Sequence, residues 1–330
     1  MTHAVPLVET SRGPFLESRH FGHAVIARAN GEIVAAWGQP DKTVLPRSSH
    51  KMLQALPLVE SGAAALLTSE HLALACASHS AEKIHVSRVA AWLGDLGLDE
   101  HALCCGPTPS LDMERRHQMI RDGQPYTRLH SDCSGKHAGF LTLTRHLGAG
   151  PHYVDPDHPV QQAVRAAIED MVGEDSPGHG IDGCSAPNFA VTLAGMATAM
   201  AKFATLGRGD TVRDKACVTL RTAMMKHPEL VSGTRRSCND LMRAAKGKAA
   251  VKSGAEGFYV AILPEAGLGI ALKIEDGANR ASATAMAALL VRCGAIEADA
   301  DCLDAYLNAP VRSFNNELVG AIRPAAGLIA

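Results

Sequence analysis

Apolar and polar positions change their period along this chain. Near the start, residues 23–29 and 32–38 are strand-like runs joined by Asn30-Gly31, the dipeptide that tolerates the left-handed conformations of a type I′ turn, and they predict a β-hairpin. A second hairpin is predicted late, where the apolar runs 258–263 and 268–274 flank Pro264-Glu265-Ala266-Gly267. Between the hairpins the period lengthens to that of helices, over roughly 49–60, 70–77, 82–95, 136–147, 158–172, 189–206, 211–226 and 235–246, and 278–293 reads as one more. Strands confined to the two ends predict an α+β fold. Its antiparallel sheet is built from N- and C-terminal strands with helices on its faces, and a mostly helical region at about 62–245 is inserted within a single domain spanning 1–330.

Composition narrows the function classes. The 330 residues are 46% apolar and 20% charged with a net charge of −2, enough to bury a substantial core. That near-neutral balance, with no basic run, argues against nucleic acid or an anionic membrane as partner. The first twelve residues lack a basic segment followed by an apolar stretch, and no window is long enough to span a bilayer, so the expected compartment is the cytoplasm. In a reducing compartment the nine cysteines are expected as free thiols or metal ligands rather than a disulfide framework.

Three short motifs carry the chemistry: Arg47-Ser48-Ser49-His50-Lys51, Ser131-Asp132-Cys133-Ser134-Gly135-Lys136-His137 and Lys252-Ser253-Gly254. The first has S-x-x-K spacing, which on a helix sets a hydroxyl and an amine on one face a turn apart, so that the amine can take the hydroxyl's proton. Penicillin-binding proteins and class A β-lactamases combine such an element with a middle serine motif and a final K-T-G. The same spacing recurs at Ser80 to Lys83, so order and context carry the weight. Lysine is scarce, 11 residues against 21 arginines, yet each motif holds one. Under this reading Ser48 begins a central helix whose N-terminus favours developing negative charge. Each element also has an ordinary structural explanation: Ser48 and Ser80 as helix N-caps, Lys51 as a solvated helix residue, Lys252-Ser253-Gly254 as a strand entry.

Amide hydrolysis by a covalent route needs an activated serine, an oxyanion site and a proton donor for the leaving ammonia. A lysine base must be neutral, and lowering its reference value near 10.4 by roughly three units takes ~4 kcal/mol. Burial and a neighbouring cation such as Arg47, Lys252 or a metal ion supply such a shift. For substrate, Arg47 suits an α-carboxylate through its bidentate fork and Asp182 suits an ammonium, with a surface ion pair and a turn aspartate as the plain alternatives. Cys133 and Cys184 lie in glycine-bearing polar loops where thiols are free to converge on an ion. Two thiolates and an uncharged nitrogen, for which His137 is the ordinary choice, would leave one zinc position for water. Cys76, Cys217, Cys238, Cys293 and Cys302 read as core thiols.

Taken in order, Arg47-Ser48-x-x-Lys51, Cys76-Ala77-Ser78-His79-Ser80, Cys133-Ser134-Gly135-Lys136-His137, Asp182-Gly183-Cys184 and Lys252-Ser253-Gly254-Ala255-Glu256-Gly257 resemble the L-asparaginase II family of rhizobial type, over about residues 20–290. The resemblance implies a β-lactamase-like or glutaminase-like fold, a homodimer, and hydrolysis of L-asparagine to L-aspartate and ammonia. It makes Ser48 the nucleophile and Lys51 its base, sets Ser80 with Lys252 as a second serine and lysine pair, and gives zinc to Cys133, Lys136 and Cys184. Met52 stands where many relatives carry proline, a departure that bears on stability more than on chemistry. Two other readings stay open. One is a β-lactamase-like amidase or esterase, or a glutaminase; the other is a non-catalytic zinc- or redox-responsive protein acting through Cys133 and Cys184.

Overall fold

The computed structural model describes residues 3–205, 207 and 210–329. Twelve strands occur among them: β1 (Val5–Arg12), β2 (Phe15–Arg28), β3 (Ile33–Trp37), β4 (Thr43–Val44), β5 (His179–Ile181), β6 (Pro187–Phe189), β7 (Val191–Thr192), β8 (Ala250–Ser253), β9 (Phe258–Leu263), β10 (Leu268–Ile274), β11 (Ala309–Arg312) and β12 (Leu318–Pro324). Two compact units share the chain, residues 1–49, 191–205 and 240–330 in the first and residues 50–190 and 206–239 in the second.

The first unit is built on an antiparallel sheet ordered β11-β12-β1-β2-β10-β9-β8, with β3 also paired to β2. The chain's two ends meet in it: Glu9 of β1 faces Arg323 of β12, and Ile26 of β2 faces Ile270 of β10. This is the expected α+β class, an antiparallel sheet assembled from N- and C-terminal strands. The helices Leu193–Thr205 and Asn279–Arg292 both pack on the central strands. Accordingly all six residues of β9 are buried, and its sequence is an unbroken apolar run rather than an alternation. Burying each large side chain there is worth about 1.5–3 kcal/mol. The first predicted hairpin is present as β2 and β3, with Gly31 at φ +87° and Asn30 Oδ1 accepting from the Glu32 amide at 3.1 Å.

The second unit is helical, with the small β5–β6 hairpin as its only sheet among the described residues. Its helix Ser134–His146 is buried at every position from Ser134 to Thr144, which places the middle motif in the core. Most predicted helices are present within a few residues, but two differ. The continuous helix expected over 49–60 is a 3-10 turn, Arg47–His50, followed by Lys51–Gln54 and Leu56–Glu60. Arg47 adopts φ +51°, outside helical space, and Pro57 has no N–H to donate back into a preceding turn. Ser48 therefore opens a turn rather than a long central helix. The helix expected over 189–206 starts at Leu193, because the residues before it form β6 and β7. Among the described residues no helix is long and apolar enough to cross a membrane.

Candidate active site

Within the first unit, the turn carrying Ser48 is pinned to the strand carrying Lys252. The Ser49 amide donates to Pro46 O at 3.1 Å, and the Ser49 hydroxyl donates to Lys252 O at 3.0 Å with Phe258 O at 3.3 Å. Gly254 closes the contact: a Cβ there would stand 2.8 Å from both Pro46 O and Ser49 Oγ, so the backbone approach is possible only for glycine. That is a physical reason for the K-S-G order in β8. Lys252 is fully buried, and its amine donates to Ser253 O at 2.8 Å. Ser48 itself is half-buried, and its hydroxyl has no hydrogen-bond partner among the described residues. It is the uncommitted hydroxyl of the motif, beside the strained Arg47.

Within the second unit, Lys51 is 0% exposed, and its ammonium donates to Ala77 O, to Ser78 Oγ at 2.9 Å and to Cys133 Sγ at 3.1 Å. Lys136, 3% exposed, donates to Cys184 Sγ at 2.9 Å and lies 5.6 Å from the centre of the Phe140 ring. Two lysines and two cysteines thus form one buried cluster. A hydrogen bond from Cys133, opposed by burial and helped by Lys136 and His137, holds the Cys184 thiol well below its ordinary value. Donating that bond, together with burial, pushes Cys133 well above. Burial lowers Lys136, but the charge on Cys184 and the hydrogen bond to it outweigh that and the net shift is upward. The directions favour negative charge on Cys184 beside Lys136 and the proton on Cys133. The partners of Lys51 are a carbonyl, a hydroxyl and a thiol.

The loop between β5 and β6 presents Cys184. The Asp182 amide donates to Ala186 O at 2.9 Å, the Ser185 amide donates to Asp182 O at 2.8 Å, and Ser185 is held at φ +71°. Asp182 is half-buried and acts electrostatically on Lys136. His137 is fully buried. The Tyr153 hydroxyl accepts from the Cys104 amide at 2.6 Å and makes a 2.9 Å hydrogen bond with His137 Nδ1. His137 Nε2 has no regular hydrogen bond among the described residues, and the ring helps to lower the Cys184 thiol.

Ser80 is also buried, and its hydroxyl donates to Ser232 O at 2.8 Å. Gly233, at φ +113°, lies against it: a Cβ there would stand 2.7 Å from Glu82 Oε1 and 2.8 Å from Ser80 Cβ. Gly233→Ala is therefore expected to lower unfolding free energy by about 2 kcal/mol, through backbone strain and displacement of Ser80, as read by urea denaturation. A loss below about 0.5 kcal/mol would show that the turn gives way without cost.

Each predicted residue thus has a place. Lys51, Cys133, Lys136, His137, Cys184 and, at its edge, Asp182 come together in the second unit, which also holds Ser80. Arg47, Ser48 and Lys252 belong to the first. The sequence reading missed Ser49, Ser78 and Tyr153, which orient Lys252's strand, Lys51 and His137. The hydroxyls of the Ser48-Ser49 and Ser78-His79-Ser80 runs were the available signal for the first two; nothing marked Tyr153. For a metal, two sulfurs and the Lys136 amine converge. Among the described residues no three His, Cys, Asp or Glu side chains do so. The set suits zinc if Lys136 and Cys133 each give up a proton as the metal binds.

The L-asparaginase II family model matches residues 8–324. No curated protein matches the chain. Among solved structures, Mglu in its tris and glutamate form is 16% identical over 93% of this chain and 67% of its own, with a TM-score of 0.48. A putative β-lactamase from Bacteroides dorei is 12% identical over 77% and 84%, with a TM-score of 0.42. An octameric penicillin-binding protein homologue from Pyrococcus abyssi is 13% identical over 82% and 73%, with a TM-score of 0.34.

Proposed function

The chain belongs to the L-asparaginase II family of amidohydrolases, and from that premise we propose that it hydrolyses L-asparagine to L-aspartate and ammonia through an acyl-enzyme on Ser48, beside a zinc ion held by Cys133, Lys136 and Cys184. The observation that carries the reading is the burial of lysine. Lys51, Lys136 and Lys252 are 0%, 3% and 0% exposed, and they are the three lysines of the motifs. Lysine is almost never buried without a partner or a task.

In this reading the Ser48 hydroxyl, which has no hydrogen-bond partner among the described residues, attacks the side-chain carbonyl of asparagine and Lys51 takes its proton. Lys51 is the suitable base of the two clustered lysines because its partners are a carbonyl, a hydroxyl and a thiol, whereas Lys136 is paired with Cys184. The proton then passes to the departing amine, and water hydrolyses the aspartyl ester by the reverse transfer. Arg47 receives the α-carboxylate and Asp182 the α-ammonium, while Ser80 and Lys252 supply a second hydroxyl and a fixed positive charge for the developing oxyanion. Zinc, when bound, supplies a positive charge that orients substrate polar groups. A homodimer and a cytoplasmic location complete the proposal.

The deciding experiment is ammonia release from L-asparagine and L-glutamine, with zinc content determined on the same sample. Release from asparagine with about one zinc per chain is the expected result. No ammonia from either amide in a folded, zinc-loaded chain would end the reading, and nitrocefin turnover would then point to a β-lactamase-like activity.

A further inference from the structure

The residues that follow Ser80 are held by two stacked imidazoles that no step above uses. The rings of His79 and His85 lie 4.8 Å apart, 9° from parallel. His79 Nδ1 accepts from the Ala81 amide at 3.1 Å, and His85 Nδ1 accepts from the Glu82 amide at 3.1 Å. Each ring uses its other nitrogen as a donor. Ser134 Oγ donates its only proton to Leu129 O at 3.1 Å, so in its 2.9 Å contact with His79 it accepts from Nε2–H. His85 Nε2–H donates to Glu229 O at 2.8 Å. Both rings are thereby fixed as the neutral Nε2–H tautomer; a proton on either Nδ1 would face a backbone N–H.

What the rings hold is strained. Ala81 is at φ +53°, fully buried, and is one of six non-glycine residues with positive φ among the described residues; Arg47 beside Ser48 and Ser185 beside Cys184 are two others. A non-glycine residue persists in that region only where its surroundings over-determine it. The surroundings here are the two Nδ1 acceptors, the bond from Ser80 to Ser232 O, and Glu82, whose carboxylate accepts from the Thr234 amide at 2.8 Å. His79 also reaches the first turn of the helix that carries Lys136, through Ser134.

We propose that His79 and His85 form a neutral imidazole clamp that fixes the Ser80 hydroxyl, with His79 a positioning residue for the reaction. The proposal rests on the reading that Ser80 serves the asparagine site. Burial pushes both imidazoles below their ordinary value, in keeping with a neutral clamp.

The test separates the two bonds of His79. Asparagine at this position keeps an acceptor close to where Nδ1 stands, whereas glutamine keeps a donor close to Nε2 and loses the hold on Ala81. In the full chain, His79→Asn is expected to retain kcat for L-asparagine within about fivefold, and His79→Gln to lower kcat about a hundredfold with KM within about threefold. The Ser80 and Ala81 amide resonances should move in His79→Gln and stay near wild type in His79→Asn. Long-range 15N spectra should show both rings as Nε2–H tautomers at neutral pH. Equal losses of kcat in the two variants, a thermal midpoint that falls in step with kcat in both, or an Nδ1–H tautomer at either ring would overturn the clamp. If the wild type hydrolyses no amide, the asparaginase reading fails, and the Ser80 and Ala81 resonances still decide the clamp.

Discussion

Ser48→Ala is expected to lower kcat for ammonia release from L-asparagine by at least about a thousandfold while the zinc content and the thermal midpoint stay at wild-type levels. The size follows from what the hydroxyl does in the proposed route: without it no acyl-enzyme forms, and direct attack of water on an amide lacks the covalent step that divides the barrier. The choice among three serines follows from their bonds. Ser49 and Ser80 each donate to a backbone carbonyl from a buried position, whereas the Ser48 hydroxyl has no partner among the described residues and is half-buried. Acid quench during turnover followed by intact-mass measurement should find an aspartyl adduct on the wild type and none on Ser48→Ala. Full activity in Ser48→Ala would move the nucleophile to Ser80 and invert the roles given to the two motifs.

Much of this was legible in the sequence, and the reasons are physical. The central strands β9 and β10 announced themselves because strands covered by helices become largely apolar runs, and Asn30-Gly31 marked the first hairpin, although only Gly31 of the pair is left-handed and the expected type I′ turn is not the one formed. Strands β1, β11 and β12 were missed because their residues mix polar and apolar types at half-covered positions. The helix Met113–Arg121 was missed because Met119 is its only buried residue, although Asp112 accepting from the Glu114 and Arg115 amides is an ordinary N-cap. In the candidate site, scarcity of lysine pointed to three amines that are all buried in the fold. The regular helix expected to hold Ser48 and Lys51 on one face was wrong, since nothing in the spacing revealed that Arg47 turns left-handed. Hydroxyl partners such as Ser49 and Ser78 emerge only when the chain is folded, because their acceptors are backbone carbonyls distant in sequence or amines with several possible neighbours.

Cys184→Ala is expected to cost about 3–5 kcal/mol of stability, more than removing a buried methyl-sized group explains, because it leaves the Lys136 ammonium buried without its counter-charge. The pH dependence identifies the cause. Cys184 has a folded value well below its ordinary 9.0, so at neutral pH the native chain binds fewer protons at this site than the unfolded chain. Stability from this group is therefore fully present above pH 9.0 and falls as the pH drops towards the folded value. Lys136 has the opposite sign: its raised value contributes fully below 10.5 and is lost only as the pH rises through its folded value. In chelator-treated protein, urea unfolding between about pH 6 and 8.5 should thus show stability increasing with pH in the wild type, and a flatter dependence in Cys184→Ala. Adding zinc should raise the wild-type midpoint and leave that of Cys184→Ala nearly unchanged, since the variant lacks one of two sulfur ligands. A variant that keeps the wild-type slope would place the titrating group elsewhere, and equal stabilisation of both proteins by zinc would remove Cys184 from the proposed ligand set.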